Sequence, residues 1–113
     1  MALELSLEEH QELAIIALDG NVRTSNANLL QDTIDMLVDD GHSRIILDCK
    51  GLISMNSDGL AVLSDLVKHM RGRGRLVLCR VNKPVQDLLH ISGLDLFIES
   101  ESSKDAAIRR ILH

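Results

Sequence analysis

The stretch Ile53-Ser54-Met55-Asn56-Ser57-Asp58-Gly59-Leu60 lies between an apolar run and a helical stripe, and its reading decides the fold. Upstream, Ile45-Ile46-Leu47 is continuously apolar and predicts a buried strand ending near Asp48-Cys49, followed by a loop from Lys50 to Ser57. Downstream, Leu60, Leu63, Leu66, Val67 and Met70 recur at helical spacing, so a helix is predicted from about Ser57-Asp58-Gly59, closed by Gly72 and Gly74. A buried strand that hands over to an amphipathic helix is half of a βαβ unit. Its connecting loop then lies at the carboxyl end of the strand, where open α/β sheets commonly carry function. Ser57 falls near the first helical turn, where backbone N–H groups lack partners. Ser57 or Asp58 is therefore a candidate N-cap.

Working towards the N-terminus, Asp19-Gly20-Asn21 breaks the chain, and Thr24, Ser25 and Asn26 offer caps to a helix bearing Leu30, Ile34, Leu37 and Val38, with Gly41 at its end. Leu13 to Leu18 is apolar on both faces, as a central strand is. Leu3, Leu5 and Leu7 alternate with Glu4, Ser6 and Glu8, the period of a half-buried strand, and either pack inward or form an exposed edge. The polar turn Glu9-His10-Gln11-Glu12 joins these two strands into an antiparallel hairpin.

Towards the C-terminus, Leu76-Val77-Leu78-Cys79 predicts another buried strand. Lys83-Pro84 begins a helix whose inner face is Val85, Leu88, Leu89 and Ile91, stopped by Gly93. Leu96-Phe97-Ile98 reads as a short last strand, and Ser102 or Ser103 caps a final helix carrying Ala107, Ile108, Ile111 and Leu112. The predicted order is β-β-α-β-α-β-α-β-α. Right-handed crossovers then give an α/β fold with a mixed, mainly parallel sheet behind an N-terminal antiparallel hairpin.

The chain has 113 residues, enough for one domain (1–113) with its own core; 45% are hydrophobic and 26% charged. Only 1% is aromatic, Phe97 alone, so the core is aliphatic. A net charge of -5 with no aromatic platform argues against nucleic acid, whose backbone needs a positive surface and whose bases need stacking partners. The basic cluster Lys68, Arg71, Arg73 and Arg75 is read as a helix end complementing the dipole. Neither a signal peptide nor a membrane-spanning run is visible, so a cytoplasmic protein without membrane insertion is expected. Cys49 and Cys79 are read as buried, reduced thiols.

Catalytic patterns are missing. The histidines at 10, 42, 69, 90 and 113 fall in separate segments, without metal-ligand spacing. Gly72-Arg73-Gly74 precedes a strand, whereas a phosphate loop joins a strand to a helix. No nucleophile elbow or triad order occurs. Neither an enzyme nor a metal or cofactor is expected.

The segment around Ser57 resembles the signature of STAS domains, the family named for sulfate transporters and anti-sigma-factor antagonists. The family pattern of acid, serine, small or hydroxyl residue, Gly-Leu falls on Asn56, Ser57, Asp58, Gly59 and Leu60. Gly20-Asn21-Val22-Arg23 stands where the family has Gly-acid-apolar-Asp, and Leu76 to Cys79 and Val85 to Leu94 match a family strand and a helix ending in Ser-Gly-Leu. The resemblance implies a STAS fold and a partner switch. An unmodified antagonist binds an anti-sigma factor with serine kinase activity, phosphorylation of Ser57 releases it, and a serine phosphatase resets it. It further implies a partner-binding surface of Asn21, Arg23, Thr24, Met55, Asn56, Ser57, Asp58, Gly59 and Leu60. Two departures bear on the switch: Asn56 replaces the acid while Asp58 carries one after the serine, and Arg23 replaces Asp. Arg23 is either a phosphate ligand or a solvated loop residue. The alternative reading is a STAS accessory subunit of a membrane transport ATPase or permease, with Ser57 only a helix cap. A small-molecule sensor using the helix N-terminus as an anion site is a third.

Overall fold

Residues 3–113 are described in a computed structural model of the chain. The elements are β1 (Glu4–His10), β2 (Leu13–Val22), α1 (Ala27–Asp39), β3 (Arg44–Met55), α2 (Ser57–Met70), β4 (Arg75–Cys79), α3 (Lys83–Ser92), β5 (Glu99–Glu101) and α4 (Lys104–Leu112). A 3-10 turn, Leu94–Leu96, separates α3 from β5. The sheet runs β1-β2-β3-β4-β5 in space as in sequence. β1 is antiparallel to β2, and every later pairing is parallel. The predicted α/β order and the N-terminal hairpin are therefore both present.

Side-chain parity explains the layers. Ala14, Ile16 and Leu18 on β2, Ile45 and Leu47 on β3, and Leu76 and Leu78 on β4 join one cluster with Leu30, Ile34, Leu63, Leu66 and Val85 from α1, α2 and α3. The alternate residues Leu13, Ile15, Ile46, Val77 and Cys79 face the other way and meet Ala107 and Ile111 of α4. The central strands thus read as unbroken apolar runs because helices cover both of their faces. Cys49 and Cys79 are buried and free, and burial pushes the Cys49 thiol up to about 12.

Four local expectations need correction. Asp19-Gly20-Asn21 does not end β2, and Lys50 to Met55 is not a loop, for both stretches continue as paired strand. The β2–β3 register shifts between Ala17 and Asp19 and again between Gly20 and Asn21, with the extra residues on β3, so the apparent breakers flank bulges within a continuous strand pair. Gly51 marks the closest approach: a Cβ there would come within 2.0 Å of Asp19 Oδ1 and 2.8 Å of the Leu18 carbonyl. Second, the last strand is Glu99–Glu101 rather than Leu96–Ile98. Gly93, in the left-handed region at φ 79°, starts the 3-10 turn, and the chain pairs with β4 only after that turn is complete. Third, Ile91 and Leu112 face solvent. Fourth, Arg75 belongs to β4 and not to the end of α2.

Other expectations are sharpened. The hairpin turn is only Gln11-Glu12, with Gln11 at φ 57°. Leu3 is buried, Leu5 half-buried and Leu7 exposed, so the apolar face of β1 fades towards the turn. Asn26 is the N-cap of α1, Asn82 that of α3 and Ser103 that of α4.

The three-residue edge strand β5 depends on charge. Arg75 donates to both carboxylate oxygens of Glu99, at 2.8 and 2.9 Å, and Arg110 of α4 adds a third contact at 2.7 Å. Hydrogen bonding from Arg75, helped by Arg110, lowers the Glu99 carboxyl from its ordinary 4.5 to about 2. A depressed carboxylate contributes stability above its unfolded pKa and loses it as pH falls towards the folded value. Because the group is partly exposed, Glu99→Gln is expected to cost at most about 1 kcal/mol at neutral pH. The difference in urea midpoint between wild type and variant should shrink as pH falls from about 4.5 to about 2.

Candidate functional site

The carboxyl ends of β2 and β3 lie side by side, with Asn21 opposite Ser54 and Val22 opposite Met55. One residue, Asn56, then separates β3 from α2. Asn56 is the N-cap, with extended backbone at φ -94° and ψ -173°. Its Oδ1 accepts from the Asp58 N–H at 3.0 Å and from the Gly59 N–H at 3.2 Å. Its carbonyl accepts from Leu60 N–H at 3.1 Å, and its own N–H donates to the Val22 carbonyl at 3.0 Å. The Asn56 Nδ2 reaches Thr24 Oγ1 at 3.3 Å, tying the β2–α1 loop to the same point. The cap is thus Asn56, in place of the expected Ser57 or Asp58. An amide oxygen set one residue before the helix reaches the second and third helical N–H groups, which a side chain on the first helical residue cannot do.

Ser57 is left as the first helical residue, exposed and without a capping role. Among the described residues its hydroxyl has no hydrogen-bond partner, and its N–H is not taken by Asn56. A hydroxyl at the positive end of a helix dipole, free on the surface, can receive an anionic group without rupturing an internal bond.

The remaining candidates separate into two shells. Arg23, Thr24 and Asn56 are exposed beside Ser57, and Asp58 and Leu60 are half-exposed. Arg23 makes no ion pair among the described residues, while its carbonyl accepts from Asn26 and Ala27 N–H at 3.1 and 2.8 Å. Asn21, Met55 and Gly59 lie beneath. Asn21 Oδ1 accepts from Ser54 Oγ at 2.5 Å and its carbonyl from Asn26 Nδ2 at 2.9 Å, so it braces the loop from below. A Cβ on Gly59 would stand 2.5 Å from Met55 Cγ and 2.7 Å from Val22 Cγ1. The glycine is what lets the first turn of α2 sit directly on the two strand ends.

Sequence reasoning missed Ile53, which is 51% exposed while Met55 is only 6% exposed. Asn82, the cap of α3, donates to the Ile53 carbonyl at 3.1 Å and to that of Leu52 at 2.9 Å, fixing this strand end from the other side. The burial of Leu52 rather than Ile53 follows from the bulged register, and simple alternation does not reveal it. No set of three or more His, Cys, Asp or Glu side chains among the described residues could hold a metal ion. No helix among them is long and apolar enough to cross a membrane.

The geometry defines a class before any comparison: an α/β domain offering a free serine at a helix N-terminus, on a surface built from two strand ends. The STAS domain family matches residues 4–107, and the chain belongs to that family. BtrV of Bordetella bronchiseptica, classed by name with the anti-sigma factor antagonists, is 31% identical over 106 residues, covering 93% of this chain and 91% of that protein. An anti-sigma F factor antagonist of Paenibacillus polymyxa is 30% identical over 96 residues, 83% of this chain and 82% of that protein. The fold matches SpoIIAA of Bacillus in its phosphorylated form with a TM-score of 0.76 at 20% identity, covering 96% of this chain and 99% of that one. The unphosphorylated form of SpoIIAA gives the same TM-score of 0.76.

Since Asn56 carries the cap, Asn56→Ala is expected to lower stability by about 1 kcal/mol, whereas Asn56→Asp retains most of it through an equivalent oxygen. Chemical denaturation of the two variants beside wild type measures the difference.

Proposed function

We propose that this chain, as a single domain spanning 1–113, is an anti-sigma-factor antagonist of the bacterial cytoplasm. It binds an anti-sigma factor with serine kinase activity and is released when Ser57 is phosphorylated. A serine phosphatase restores the binding form. The chain is then a substrate of enzymes and not an enzyme. The observation that carries this reading is the exposed Ser57 on the first turn of α2, with capping delegated to Asn56. The names of the two relatives point to the same partner class, and the name of one SpoIIAA form records phosphorylation of that protein.

Arg23, Thr24, Asn56, Ser57 and Asp58 form the polar part of the partner surface, and Leu60 with the neighbouring Ile53 supplies apolar contact. Asn21, Met55 and Gly59 contribute by holding that surface in place. A phosphoryl group adds roughly -1.5 to -2 charge and three acceptor oxygens. Within the domain the helix dipole and the Ser57 N–H favour it. Against a closely packed partner it introduces charge and bulk that must be desolvated. Neutral Asn56 does not repel the phosphate as an acid there would, while Asp58 opposes it and Arg23 attracts it. The switch therefore acts on the complex and spares the fold.

Affinity capture from native lysate with wild type, Ser57→Ala and Ser57→Asp as baits tests this. A kinase-like ATPase is expected on wild type and Ser57→Ala, and absent from Ser57→Asp. Incubation of wild type with that partner and ATP should then add one phosphoryl group by intact mass, and none to Ser57→Ala. Equal capture of one transport ATPase by all three baits would replace this reading with that of a transporter subunit.

A further inference from the structure

The one aromatic side chain of the protein is not in its core. Phe97 is 60% exposed, next to Leu96 at 81%. Phe97 and Leu96 border a groove of about 380 Å³ between α2 and the Leu94–Leu96 turn, whose walls include Val67, Leu94, Lys68 and Arg71. Apolar groups gathered on a surface and rimmed by charge mark an interaction site. The Arg71 guanidinium stands 5.9 Å from the centre of the Phe97 ring. Neither Arg71 nor its neighbours Lys68 and Arg73 forms an ion pair among the described residues, whereas nearby Arg75 is bound to Glu99. Asp65, further back along α2, is the carboxylate lining the adjoining hollow with Lys68, Arg71 and Arg73. This is a local excess of positive charge on a chain whose net charge is -5.

The opposite pattern occurs on α1. That helix carries Asp32, Asp35 and Asp39 and no basic residue, with Asp40 at its C-cap, where negative charge opposes the dipole. None of these four carboxylates is in an ion pair among the described residues. Leu29 and Met36 are exposed two turns apart, and Asp32 lies between them on the same helical face. The outer face of α1 is thus an acidic, apolar stripe, complementary in charge and hydropathy to the basic, apolar groove.

We propose that the groove at Phe97 receives the outer face of α1 from a second copy of this chain. Leu29 and Met36 of one copy cover Phe97 and Leu96 of the next, and Asp32 and Asp35 meet Lys68, Arg71 and Arg73. The two surfaces differ, so the contact is heterologous and every copy offers both halves. The groove follows the C-terminal half of α2 from Ser64 to Arg71, roughly 10 to 20 Å along the helix from Ser57 at its N-terminal end.

Sedimentation equilibrium of the full chain, from about 5 μM to about 1 mM at low and high salt, tests it. The average mass is expected to rise above the monomer's 12.5 kDa with concentration and to fall back with added salt. Phe97→Ser should weaken association about tenfold or more. Arg71→Glu and Asp32→Arg should each weaken it alone. An equimolar mixture of those two variants should regain it, because the unaltered α1 of the Arg71→Glu copy meets the unaltered groove of the Asp32→Arg copy, and in the reciprocal contact the introduced acid faces the introduced base. Far-UV spectra confirm that the variants fold. Should Phe97→Ser not fold, the exposed charge pair carries the test by itself. A mass that stays monomeric throughout, association indifferent to these changes, or a mixture that does not recover would overturn the proposal. So would a monomeric protein that binds an acidic amphipathic peptide in the groove, since the occupant would then be a different partner.

Discussion

The arrangement rests on three central strands that are apolar on both faces. β2, β3 and β4 each send alternate side chains into opposite layers, so α1, α2 and α3 have one aliphatic floor and α4 has another. The two floors differ in extent. Three helices bury the larger, and a nine-residue helix covers the smaller with Ala107 and Ile111. Since burial scales with apolar area removed from water, most of the driving force lies on the three-helix side. α4 is correspondingly reinforced by charge at its edges, through Arg110 to Glu99 and Lys104 to Glu8. Arg80, in a left-handed backbone conformation at φ 57°, pairs with buried Asp48, the last β3 residue paired with β4. Desolvation alone would raise the Asp48 carboxyl, but the Arg80 guanidinium neutralises it and the pKa is lowered on balance.

The candidate site is a consequence of the same sheet. Parallel strands bring the ends of β2 and β3 together, and their bulges let both run on to Val22 and Met55. Gly59 then brings α2 down onto those two residues, and Asn56 connects strand, loop and helix. Rigid parts thus surround an unconstrained serine. Chemistry directed at Ser57 meets a preformed surface, with no ordering of a loop required first.

Much of this is legible in the residues. The helical stripes of α1 and α2, the two-faced runs at Ile45 and Leu76 and the alternation at Leu3 to Leu7 report burial directly, and burial sets the element order. Boundaries are less legible where backbone and environment disagree. Gly20 and Gly51 resemble turn residues but lie paired inside a long strand pair beside its register shifts, Gly20 at a positive φ of 110° and Gly51 where a Cβ would meet Asp19. Leu96-Phe97 has strand composition but lies on the surface, because a 3-10 turn occupies the residues after Gly93. At the site, the sequence pattern puts Ser57 on the first helical turn, and the structure has it there too. The role of cap falls instead to Asn56, a choice that depends on a difference of one residue in where β3 stops. Ile53 escapes notice because a bulge exchanges inner and outer positions without changing composition.

The delegation of the cap to Asn56 also bears on how such a protein can change over generations. A serine that capped its own helix would be bound to the fold, and losing it would cost stability. Here the two duties belong to adjacent residues. Ser57 is thereby free to be lost, regained or exchanged by single substitutions while the domain persists. The scaffold is heritable separately from the signal it carries.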